Sequence, residues 1–281
     1  MNRFNAITTA LFDPLLAPFG DEHAWFDLIF WSVAGGIVAL IVYKYVSNQG
    51  GIQRTKNAIK VHLLEIRLFK DDIAVVLGAT AKILLKNALY LGHNILPMLV
   101  MIVPMMTILF QLEARYAFDP LPVGSVNLLI VELDDRQPGV PDTATGLAEA
   151  VRLEIPDGLS LDAPPVRTAE GTIAWRLRAE QPGDHVASIH VGDQVVQKQI
   201  AVGGPPRKVP VLRTKGLEGL LYPGEPGLPA DSPVYSARLR YPERDLGWLP
   251  GGEVGVLATF FGLSILSGFA LKGLFLSLIH I

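Results

Sequence analysis

The chain contains no cysteine among its 281 residues, which excludes disulfides, thiol catalysis and cysteine metal ligands while leaving the compartment open. Charge is scarce too: Asp, Glu, Lys and Arg make up 18% of the residues against 50% hydrophobic, and the mean hydropathy is +0.35. That balance suits a bilayer better than a soluble globule. The scarcity is local, since residues 28–43, 87–112 and 254–271 have no charged side chain at all, whereas 114–252 reads as ordinary soluble sequence.

Motifs of chemistry are missing as well. No phosphate loop or dinucleotide fingerprint occurs, and the six histidines, His23, His62, His93, His185, His190 and His280, show no ligand spacing with carboxylates that suggests a metal. Asp184, His185, Ser188 and His190 bring a hydrolase to mind. On a strand, however, Ser188 and His190 face one way and His185 the other, and no third group is in place to orient a base. The expectation is a protein with no catalytic residues, no metal and no cofactor.

What is present is a pattern of spans. A bilayer core of about 30 Å needs roughly 20 apolar residues in a helix. Three runs meet this, predicting transmembrane helices over 24–46, 94–112 and 253–273. Trp25, Trp31, Tyr43 and Tyr45 sit near the ends of the first run as an aromatic belt requires. Pro97 and Pro104 are expected to kink the second, after Gly92, His93 and Asn94 separate it from the preceding helix. Gly255, Ala258 and Gly262 form a small-residue stripe on the third, which suggests close helix packing. Residues 1–23 read as an uncleaved interfacial segment, with Phe4, Ile7, Leu11 and Leu15 on one helical face.

Charge gives direction. Residues 44–93 carry eight basic and three acidic side chains, whereas 113–253 carry fourteen basic and twenty acidic. The basic block marks the cytoplasmic side, so the N-terminus lies outside, 47–93 inside as a helical hairpin, the acidic segment outside, and the C-terminus inside after Lys272. On the hairpin, Arg54, Lys56, Lys60, Arg67 and Lys70 would contact anionic lipid or a ribosome, each basic group near such a surface contributing about 1 kcal/mol.

From Val126 the period becomes that of strands, at 126–132, 150–155, 159–162, 172–178, 185–191 and 195–202. This predicts an immunoglobulin-like β-sandwich over 120–204, with Trp175 as a core anchor and a hairpin joined by Gly192, Asp193 and Gln194. Residues 203–252 hold nine prolines, which denies regular structure there except for a strand at 234–240. Residues 205–252 are therefore expected to wrap the chain back to the membrane, with Tyr222 and its neighbours free to dock a partner.

Lys44, Tyr45, Val46, Ser47, Asn48 and Gln49, the basic run Gln53 to Lys70 and the proline-containing span Leu96 to Leu112 together resemble the YidC-type membrane insertase superfamily, including the insertase subunit of the endoplasmic reticulum membrane protein complex. The resemblance covers 24–115. It implies a groove, polar inside and open to the cytoplasm, through which hydrophobic segments pass into lipid. Some members mark that groove with an arginine in the first span. Here residues 28–43 offer Ser32 in its place, so a groove would depend on His93, Asn94, Thr107 and Gln111 with Lys44 at its edge. The implied function is to assist insertion or assembly of other membrane proteins. The alternative is a non-catalytic scaffold or accessory subunit that binds an extracytoplasmic protein through the sandwich. The partners expected are the lipid bilayer and other proteins, without sequence-specific nucleic acid.

Overall fold

The computed structural model describes residues 2–16, 23–134, 151–168 and 171–277, with side chains from 4 to 271. Residues 17–22 of the interfacial segment and the side chain of Lys272 lie outside that description. Two compact units emerge, Met1–Trp31 with Ile108–Phe261, and Ser32–Thr107 with Gly262–Ile281.

The first unit is built on two antiparallel sheets. Strands β1 (Val126–Leu133), β3 (Leu159–Arg167), β4 (Thr172–Ala179), β7 (Leu212–Thr214) and β8 (Val234–Leu239) form one, in the order β3-β4-β1-β8-β7. The other has β2 (Val151–Glu154), β5 (Gly183–Val191) and β6 (Gln194–Val202), ordered β2-β5-β6. Alternation of side chains along each strand sends Leu129, Val131, Ile173 and Trp175 from one sheet, and Ala187, Ile189 and Ile200 from the other, into a shared core. Full burial of each such aliphatic side chain contributes about 1.5–3 kcal/mol. Trp175, 2% exposed, stands opposite Leu129, which in turn stands opposite Leu239.

The strand expectations hold for β1, β4, β5 and β6, but the β5–β6 turn is the two residues Gly192 and Asp193, because Gln194 pairs opposite Val191 as the first residue of β6. The proline-rich segment differs from expectation. It contributes β7 and a short 3-10 helix, Gly216–Leu220, as well as β8, and β8 lies between β1 and β7. The sheet is therefore completed by residues beyond 204. Proline tolerates this because β7 begins after Pro210 and is an edge strand of only three residues.

The same segment is bolted to β6. Lys198 points inward, fully buried, and its ammonium donates to the carboxylate of Glu225 and to the carbonyls of Pro210 and Gln199. The second oxygen of Glu225 accepts the Gln199 N–H at 3.2 Å. Burial pushes the Lys198 ammonium below its ordinary range, and Glu225 opposes that shift. Beyond β8, the Tyr241 hydroxyl accepts the Ala201 N–H at 3.0 Å, and burial raises that hydroxyl above the usual tyrosine range.

Helix α1 (Asn2–Phe12) belongs to this unit and is docked by its polar side. Asn5 donates to the Gly219 carbonyl at 2.8 Å, and Gln111 donates to the Thr8 hydroxyl at 3.1 Å. Lys208 bridges Asp13 and Gln111. Phe4, Ile7, Leu11 and Leu15, the face expected to be apolar, are exposed.

Three helices, α2 (Ala24–Val46), α4 (Ile73–Tyr116) and α5 (Gly252–Ser277), are long and apolar enough to cross a membrane by length and composition. With α3 (Gln49–Leu68), parts of them make up the second unit. The separation expected at Gly92, His93 and Asn94 does not occur: α4 runs unbroken for 44 residues, about 66 Å at 1.5 Å per residue, and continues through Pro97 and Pro104. A helix-interior glycine costs only about 1 kcal/mol, and Asn94 satisfies its own amide inside the helix by donating to the Tyr90 carbonyl at 2.7 Å.

The expected packing stripe is also corrected. Ala258 is exposed, a Cβ on Gly262 would meet no atom within 4 Å, and Gly255 is crowded by Pro250 of its own helix entrance. The close approach in the second unit lies elsewhere. Ser264 on α5 donates to the Ser32 carbonyl on α2 at 2.7 Å, and a Cβ on Gly36 would sit 2.6 Å from the Ser264 carbonyl oxygen. Ser32 and Gly36 are one turn apart, the small-residue spacing that lets backbones approach in lipid.

Candidate functional site

A concavity of the second unit lies between the start of α3 and the middle of α4. Asn48 caps α3, its side chain accepting the Gly51 N–H at 2.9 Å, and Thr55 donates to the Gly51 carbonyl at 2.9 Å. These bonds consume the local polar groups and leave Gly51 and Thr55 buried as a small, close wall. Arg54 and Ala58 continue that wall. Across from them, Lys86, Leu89 and His93 recur at three and four residues on α4, one helical face. Together they enclose an open cleft of about 260 Å³ without an acidic lining residue.

A turn over 69–72 reverses the chain from α3 to α4, with Asp72 capping the N–H groups of Ala74 and Val75. Glu65 holds the two helices at this end by a 3.8 Å pair with Lys82 and accepts a hydrogen bond from the His62 ring at 2.9 Å. The His62 contact, assisted by Lys82, draws the Glu65 carboxyl below its ordinary range. Leu63, Leu64, Leu84 and Leu85 stay exposed along the two helices.

The residues expected to line a groove fall out unevenly. His93 lines the cleft. Asn94, next to it, accepts a hydrogen bond from the Tyr43 hydroxyl at 3.1 Å, which ties α4 to α2 one residue before Lys44. The Lys44 ammonium lies 6.0 Å from the Tyr45 ring centre. Thr107 spends its hydroxyl on the Val103 carbonyl at 2.7 Å. Gln111 is the correction. It is 2% exposed, belongs to the first unit, and is held there by Thr8 and Lys208, so it is a structural tie rather than a groove residue.

Of the basic residues assigned to a charged surface, Arg54 lines the cleft, whereas Lys56, Lys60, Arg67 and Lys70 are exposed on α3 and the turn after it. Sequence reasoning missed Lys86 as a site residue, and with it the stripe Asn48, Gly51, Thr55 and Ala58, whose three- and four-residue spacing of small or polar groups was the available signal.

In the first unit, Glu113 and Glu253 border a cavity of about 20 Å³, space for about one water and no ligand. His185 faces the Gln181 carbonyl at 2.9 Å on one face of β5, and His190 pairs with Glu154 at 2.9 Å on the other, the face that also carries Ser188. Among the described residues no three His, Asp or Glu side chains cluster as metal ligands. The chain matches no family model, no curated protein and no solved structure.

Proposed function

We propose that this protein is a non-catalytic, YidC-like assembly factor that assists other membrane proteins into or within the bilayer. The observation that carries the reading is the open cleft between α3 and α4, polar and cationic on its walls, beside rows of exposed leucines. A hydrophobic segment bearing a few polar groups could rest its apolar side on Leu63, Leu64, Leu84 and Leu85 while the cleft receives the polar ones. In this reading the two-sheet domain is an immunoglobulin-like sandwich outside the membrane, and the basic α3–α4 hairpin and the C-terminus are cytoplasmic, a sidedness supported by the eight basic against three acidic residues of 44–93.

A photocrosslinker placed at Leu89 or His93 in cells should capture short hydrophobic segments of newly made membrane proteins, and depletion of the protein should lower their insertion. Absence of client adducts from both positions rejects the reading. A second reading, a scaffold that recruits an extracytoplasmic protein, is favoured by β3, an edge strand that exposes Leu161 and Val166. Under it, a complex copurifies through the two-sheet domain and survives changes in the hairpin.

A further inference from the structure

We propose that the cleft between α3 and α4 is a binding site for the phosphate of an anionic membrane lipid, with Arg54 and Lys86 supplying charge and His93 a hydrogen bond. The inference rests on the insertion of the helices in a membrane and not on client handling, so either can fail alone.

Three observations converge. The first is unspent charge. Lys82 pairs with Glu65, Lys208 with Asp13, Lys215 with Asp134 and Lys198 with Glu225, but Arg54, Lys86 and His93 have no such partner among the described residues although they border one cavity. Two cations brought to one concavity without an acid repel each other, a cost that a bound anion removes. Arginine and lysine together suit phosphate, the guanidinium as a planar fork and the ammonium as a compact charge.

The second observation is size and lining. About 260 Å³ lies below the range of drug-sized pockets and accommodates a small head group. No Phe, Tyr or Trp ring lines the cleft, so it lacks the broad stacking platforms on which nucleotide bases are held. Leu89 is the apolar wall that a lipid's glycerol region needs and a free phosphate does not.

The third is depth. Lys86 immediately precedes the uncharged run 87–112 of α4, whose first turns carry His93 and Asn94, and Tyr43, which bonds Asn94, ends the uncharged run of α2. Both helices thus leave the apolar zone at the level of the cleft, where phosphate head groups reside.

The experiment uses the full chain reconstituted in zwitterionic lipid with a minor fraction of phosphatidylglycerol, then read by native mass spectrometry for retained lipid. The wild type should retain phosphatidylglycerol in preference to the zwitterionic lipid. The double substitution Arg54→Gln with Lys86→Gln should weaken that preference roughly thirtyfold, two contacts of the size expected for basic groups at anionic membranes. Lys56→Gln with Lys70→Gln, on the exposed positions, should leave it intact. The charge-preserving pair Arg54→Lys with Lys86→Arg, checked for unchanged helix content, should retain binding and so separates charge loss from misfolding. Equal retention by the wild type and the Arg54, Lys86 double variant overturns the proposal. Inorganic phosphate that binds the detergent-solubilised chain while no lipid preference is seen overturns the lipid as its source, and capture of RNA in place of lipid does the same.

Discussion

The ammonium of Lys198 and the carboxylate of Glu225 are buried against each other inside the two-sheet domain, joining β6 to a segment that carries proline on either side of the glutamate at positions 223 and 226. A lone charge left there would have no water to solvate it. Glu225→Gln should therefore destabilise the domain by about 3–5 kcal/mol, whereas Lys198→Met combined with Glu225→Leu should lie near the wild type or above it. Denaturant titration followed by tryptophan fluorescence distinguishes the two. Equal losses in both variants would mean that the charge pair is not what holds the segment.

The contact between α2 and α5 gives a second outcome. Gly36→Val adds a Cβ where the Ser264 carbonyl oxygen is 2.6 Å away, and backbone cannot step aside as a side chain can. The expected loss is about 1–3 kcal/mol from overpacking. Gly262→Ala, by contrast, projects into open space and should change stability by less than about 0.5 kcal/mol. Thermal unfolding in one detergent compares them directly.

Helix α1 separates its two faces by consequence. Asn5→Ala leaves the Gly219 carbonyl without its donor and should cost about 1–3 kcal/mol, while Ile7→Gln on the exposed face should leave the fold unchanged in detergent. A polarity-sensitive fluorophore at Leu11 should shift to the blue on reconstitution into vesicles. A spectrum identical in detergent-free water and in vesicles would show that the face does not meet lipid.

Asp119 provides a pH dependence. Burial raises its carboxyl above the ordinary range, only partly offset by Arg244, so the ionised form costs the folded state. Its contribution is most favourable below the usual carboxylate pKa and is lost as pH rises through the raised value. Asp119→Asn should accordingly raise the melting temperature at neutral pH and have little effect near pH 4, where roughly half of an ordinary Asp is already protonated. A variant that is more stable than wild type by the same margin at both pH values would contradict this.

Much of the fold could be read from residue pattern, because two periods carry it. The uncharged runs 28–43, 87–112 and 254–271 lie within α2, α4 and α5, and the alternation of Leu129 and Val131, Ile173 and Trp175, or Ala187 and Ile189 announces strands. What was not legible depends on distant partners. Leu212–Thr214 is a strand only because β8 offers it an edge, and three residues shortly after Pro210 have no period of their own. The unbroken α4 defied Gly92, since a local breaker is weaker than the long helix on each side of it. Gly255, Ala258 and Gly262 had the spacing of a packing stripe, yet spacing does not say which face meets a neighbour, and Ser32 with Gly36 does. The site was half legible. His93 and Arg54 were named from their polarity, whereas Lys86 entered only when the turn over 69–72 folded its helix back beside Arg54.

The position of β8 has a consequence for how the molecule is made. Because β8 slots between β1 and β7, about a hundred residues separate β1 from the strand that completes its sheet, and such long-range closure is slow. A ribosome that has produced only the first 203 residues has made a β1 whose outer edge is bare, a sticky intermediate that calls for shielding until the remainder arrives. The proline-rich stretch is thus the keystone of the domain, and a truncation that treats it as a disposable linker should yield aggregate rather than a smaller folded module.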